Sequence, residues 1–228
     1  MTGQVVICDA PCEENARIVP NTNYELLSKT TNTGTSYMSN TETLAKLRKA
    51  AENRDPEQCQ FLLKTLFLNM DFFLAFAVVV ERAHSFLDTF EHYYPESKFA
   101  RQILMQMVNT GTAPSKLPPE ALRDFEYPGA ANYMKAIADM AHGLQNGPLP
   151  PRIGYLVSAT VNAIMAELVE HYYGANMEQW EFVRSNPTDP KTREIAYAFW
   201  TNEDIALLDT DHWLQVADSI EKHMERQM

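Results

Sequence analysis

Between Pro56 and Pro95 the chain contains neither glycine nor proline. Asp55-Pro56 opens this stretch with a good N-cap and a proline suited to the first helical position. The absence of any breaker predicts one helix from Pro56 to Tyr94, far longer than the typical globular helix of about 11–12 residues. Its middle, "FFLAFAVVV" at 72–80, is apolar on every side, as in a buried helix. This run is too short for a membrane span of roughly 20 residues. Asn69 and Asp71 precede it and Glu81-Arg82 follow. A core helix is the expectation.

A second long apolar helix is expected over residues 151–173, between the breaker "QNGPLPP" and Gly174. Shorter helical patterns surround the two. They are "TETLAKLRKAAENR", a segment from Pro95 to Val108 capped by Gly111, "ANYMKAIADMAHGL", "MEQWEFV", and "KTREIAYAFW" after Asp189-Pro190. Thr201 is expected to start "NEDIALL" with Asp204 in a capping box, and Thr210 to cap a last helix. Strand signals are nearly absent. The fold class is therefore all-α: a single compact multi-helix domain over residues 41–228 with two long central helices. Residues 1–40, rich in Asn, Thr and Ser, are expected to form a poorly ordered polar arm, with a short strand at residues 5–8.

The two long helices end on the same phrase. Asp88-x-x-Glu91-His92-Tyr93-Tyr94 precedes Pro95, and Glu167-x-x-Glu170-His171-Tyr172-Tyr173 precedes Gly174. A weak echo between 56–94 and about 140–173 suggests a pseudo-duplicated bundle.

The formal net charge of −11 disfavours nucleic acid and anionic membrane surfaces as partners. Three cysteines, Cys8, Cys12 and Cys59, do not make a disulfide framework. Cys8 and Cys12 have a metal-compatible spacing but no second ligand pair close in sequence. The start lacks a basic, apolar leader, so a reducing cytoplasmic location is expected.

Glu81, His84, Asp88 and His92 recur at helical spacing and share one stripe of the first long helix. Glu167 and His171 sit at i and i+4 on the second. Imidazole and carboxylate brought together from two helices suit a non-haem iron centre of one or two ions, with manganese or zinc as alternatives. Glu81-Arg82-Ala83-His84 has the Glu-x-x-His spacing of ferritin-like carboxylate proteins. Only Asp variants, Asp139-x-x-His142 and Asp209-x-x-His212, echo it elsewhere. Phe73, Phe76, Tyr93, Tyr155 and Tyr172 would wall a substrate pocket. The competing reading is that these polar residues form the solvated face of amphipathic helices. The tyrosine pairs have a packing reading as well.

Two functions follow. One is a metal-dependent oxidase or oxygenase acting on a small organic molecule. The other is a non-enzymatic all-α adaptor or regulator working through protein contacts, with a homodimer as one form. No dinucleotide fingerprint, nucleophile elbow or His-Glu-x-x-His zinc motif offers a third.

Overall fold

The computed structural model describes residues 39–225, and among them every regular element is helical. The helices are α1 (Asn40–Glu52), α2 (Pro56–Leu68), α3 (Phe72–Tyr93), α4 (Phe99–Thr110), α5 (Ala130–Leu144), α6 (Leu149–Gly174), α7 (Met177–Ser185), α8 (Pro190–Thr201) and α9 (Glu203–Glu225). A 3₁₀ turn at Pro119–Leu122 lies between α4 and α5. The described residues form the expected compact all-α domain. The arm, its expected strand, Cys8 and Cys12 lie almost wholly outside the described residues.

Local chemistry explains most helix starts. Ser39 and Glu42 form a reciprocal capping box on α1. Asp55 and Asp189 cap α2 and α8, each with proline next in the chain.

The single helix expected from Pro56 to Tyr94 is two helices. The Asn69 side chain turns back to donate to the Thr65 carbonyl at 2.9 Å. The Asp71 carboxylate accepts from the Phe73 and Leu74 backbone N–H groups. Two short polar side chains thus give the backbone local partners and interrupt the ladder without glycine or proline. The opposite happens near the C-terminus, where α9 runs unbroken through Thr210. That hydroxyl bonds the Ala206 carbonyl one turn back and the Ala51 carbonyl on α1. Asn202, rather than Thr201, caps α9 through the Ile205 N–H.

The packing order is read from cross-helix partners. α5 and α6 form a tight antiparallel hairpin. Asp139 accepts from Lys135 and Ser158, and Arg152 donates to the Gly143 carbonyl. α1 and α9 are antiparallel, tied by Arg48–Asp218 and Arg54–Glu203. α3 and α6 run parallel: Arg152 lies over the Phe72 ring at one end, and Ser85 donates to Glu167 further along. At the far end, Tyr93 stacks on Tyr127, whose hydroxyl reaches Glu170. The two repeated phrases therefore end at the same level of the bundle. The two halves pack differently, since α2 leans mainly on α1 and α6 and has little contact with α3.

Between the helices lies a continuous apolar core that includes Leu63, Phe67, Val79, Phe86, Phe90, Tyr133, Ile137 and Ile164. Gly129 admits the chain to α5 at φ 80°, where a Cβ would collide with the Ala166 carbonyl of α6. Among the described residues α6 alone has the length and hydropathy to cross a membrane. Just over half of its apolar window is buried in this core, as expected of a central core helix.

Candidate functional site

The most polar point of the interior is the junction of α3, α6 and α9. Arg82, only 7 % exposed, reaches it from α3. One guanidinium nitrogen donates to Gln215 Oε1 at 2.7 Å and lies 3.2 Å from His212 Nδ1. The other donates to Ser85 and to the Glu167 carboxylate. Ser85 also donates to Glu167, at 2.5 Å. A guanidinium can only donate, so His212 Nδ1 accepts, and the neutral ring carries its proton on Nε2. That atom lies 3.9 Å from Glu167 Oε2. Burial, then the Arg82 charge, lowers the pKa of His212.

A cleft of about 190 Å³ opens beside this junction, between α3 and α9. Val78, Glu81, Arg82, Ser85, Gln215, Val216 and Ser219 line it. Its polar groups are engaged with one another. Glu81 accepts from Ser219 at 2.5 Å and Lys222 at 3.0 Å, and His223 Nε2 lies 3.3 Å away. Burial disfavours the Glu81 carboxylate, but these donors outweigh it and hold its pKa below the usual range.

The six residues expected to share metal ions do not converge. Glu81 faces α9. Glu167 is bound by Arg82. Asp88 is exposed and pairs at its rim with Arg101 of α4 at 2.9 Å. His84, His92 and His171 are exposed. The helical stripe is real, but the parallel arrangement turns much of it outward or onto cationic partners. Among the described residues no group of three or more His, Cys, Asp or Glu side chains is placed to hold a metal ion. The five expected pocket walls are also scattered. Phe76 is buried, Tyr172 is half-buried, and Phe73, Tyr93 and Tyr155 are exposed.

The tyrosines instead lead to the end of the bundle where α3 and α6 stop. Tyr172 and Tyr173 both pack on Phe199, Tyr173 also on Trp180, and Phe199 touches Trp200. The Trp180 indole donates to the Glu126 carbonyl. The neighbouring Tyr127 stacks on Tyr93, and its backbone N–H donates to the Tyr94 hydroxyl at 2.9 Å. These contacts link the C-terminal ends of α3 and α6 with α7 and α8. A depression of about 270 Å³ lies here, lined by Tyr93, Tyr94, Glu126, Tyr127, Met177, Glu181 and Arg184. Burial, then the hydroxyl of Tyr93 and the charge of Glu170, keeps the Tyr127 phenol protonated.

Cys59 is a buried free thiol. Burial, with the charges of Asp209 and Asp55, pushes its pKa up to about 12, so it is not a nucleophile near neutral pH. Asp209 itself is raised to about 6 by burial.

Sequence reasoning gave Arg82 no special place, although an arginine inside "VVVERAHSF" on a buried helix has to find an interior partner. No local signal marks Tyr127 or Trp180 as partners of the repeated phrases. Their roles depend on the path of the irregular 111–129 segment. Comparisons with protein-family models, curated proteins and solved structures found no match to this chain.

Proposed function

We propose that this protein is a non-enzymatic all-α adaptor that holds a partner protein carrying a basic segment, using its aromatic end. One observation carries the reading. Arg82, Glu167 and Glu81 are engaged by side chains of neighbouring helices, whereas several large apolar side chains at the aromatic end face water. Tyr197 is 72 % exposed, and Trp200, Leu207, Tyr93 and Met177 are exposed with it. Tyr197 and Trp200 share one face of α8, and Leu207 lies in the first turns of α9 beside it. Tyrosine and tryptophan are favoured anchors of protein interfaces. Glu178, Glu181 and Asp204 are exposed on the segments that form this end, while Glu126 and Glu203 there already face Arg184 and Arg54. Together with the net charge of −11, they favour a cationic partner. The buried free thiol of Cys59 suits the reducing cytoplasm as the place of action.

Selection of a displayed random-peptide library on the full-length protein tests this reading. Enriched peptides should combine Lys or Arg with an apolar anchor, and their binding should weaken as salt rises. The double variant Tyr197→Ser/Trp200→Ser should reduce their retention at least tenfold at an unchanged melting temperature. Failure of any sequence to rise above the bare-support background would sink the reading. So would enriched peptides that bind the double variant equally well.

A further inference from the structure

We infer that the depression between α3, α7 and the segment before α5 is a receptor for a single alkylammonium group, the side chain of a lysine, free or methylated, on the partner. The inference rests on the adaptor reading and adds the chemistry of one contact.

Tyr93, Tyr94 and Tyr127 supply aromatic surface, and Met177 adds a polarisable apolar side chain. Aromatic faces carry negative potential and attract cations, most strongly where water is partly excluded. The Tyr127 hydroxyl donates to Glu170 at 3.3 Å, which leaves its ring richer in electrons. The chain already uses this chemistry on the same aromatic group. The Arg123 guanidinium lies 4.8 Å from the centre of the Tyr94 ring and 5.3 Å from that of Phe125.

Arg184 is the one cation in the lining. It faces Asp124 at 3.5 Å and Glu126 at 3.7 Å, so its charge is already balanced. Glu181 is exposed and has no ion-pair partner among the described residues. The lining is therefore left with an uncompensated carboxylate beside aromatic rings. That combination suits a compact cation with apolar surface. It disfavours an anion, which would have to displace two carboxylates to reach Arg184.

A volume of about 270 Å³ accommodates the end of one lysine side chain, trimethylated or not, and is too small for a folded element.

The test is a titration of the full-length protein, labelled with ¹³C at its methionine methyl groups, with tetramethylammonium chloride against matched sodium chloride. The Met177 methyl signal should shift saturably with tetramethylammonium and stay still with sodium. Tyr93→Ala and Glu181→Gln should each weaken the response at least fivefold, with melting temperatures close to the parent. A lysine-containing peptide from the library selection should compete for the site. No saturable shift, an equal shift in both variants, or a response to phosphate instead would overturn the inference. Library peptides that bind Tyr93→Ala and Glu181→Gln undiminished would refute the pocket and leave the adaptor reading standing. Tetramethylammonium binding without any enriched peptide would instead refute the adaptor reading and leave a site for small free amines.

Discussion

The chain writes Glu-His-Tyr-Tyr twice and folds the two copies into different surroundings at the same end of one bundle. In the last turn of α3, Glu91 is clamped by Arg101 of α4, and Tyr93 stands 42 % exposed beside a depression. In the last turns of α6, Glu170 accepts from the Tyr127 hydroxyl, and Tyr173 is buried against Trp180 and Phe199. The positions one turn upstream diverge as well. Asp88 lies at the surface, whereas Glu167 is drawn in by Arg82. Identical residues on similar helices are assigned their work by what the chain does next. α4 supplies an arginine to the first copy; α7 and α8 supply aromatic rings to the second.

The sharpest way to break this contrast is truncation of one tyrosine in each copy. Tyr173→Ala should cost about 4 kcal/mol in urea unfolding, typical of a large buried aromatic. Tyr93→Ala should cost about 1 kcal/mol or less. Equal losses would show that the two copies are equivalent after all.

Next in size is the upstream pair. Arg82→Ala leaves Glu167 half-buried and unpaired, with an expected loss of about 3 kcal/mol. Changing both partners, Arg82→Met with Glu167→Leu, should recover at least half of that loss. Arg101→Ala, at the surface, should lower the melting temperature much less and only at low salt.

A smaller effect is expected from pH. The folded pKa of His212 lies below its unfolded value of about 6.5. The unfolded chain therefore binds more protons as pH falls below about 6.5, and stability drops with it. Asp209 acts in the opposite sense. Its folded pKa of about 6 means the native state holds the extra proton between roughly pH 4 and 6, so its burial penalty fades on acidification. Asp209→Asn should therefore steepen the acid loss below pH 6, and His212→Gln should flatten it. The curve to record is unfolding free energy against pH for all three proteins.

The smallest expected response is to metal. Iron(II), manganese(II) or zinc should leave the melting temperature unchanged, because a ligand stabilises only by its affinity for the folded state. A rise that disappears in His171→Ala would instead reunite the two phrases around a shared ion.

Much of the fold was legible in the sequence. Asp55-Pro56, Asp189-Pro190 and Gly111 mark boundaries that the structure keeps; of the apolar 72–80 run, Ala75, Phe76, Val78 and Val79 are in the core, whereas Phe73 is exposed. The break at Asn69–Asp71 is not legible there, because Asn and Asp interrupt a helix only when their side chains turn to the backbone, and composition does not reveal that choice. The candidate site was less legible. Helical spacing puts Glu81, His84, Asp88 and His92 on one stripe, but nothing in it says whether that stripe meets α6, α9 or water. The direction of α6 relative to α3 decides this, and that direction is set by some fifty intervening residues.

The parallel course of α3 and α6 also has a consequence for biosynthesis. Ser85 and its partner Glu167 are 82 residues apart in the chain. At a translation rate of about 5–20 residues per second, Ser85 on α3 waits roughly 4–16 s for its partner on α6. A nascent chain in that interval exposes α3 surface that the finished bundle buries.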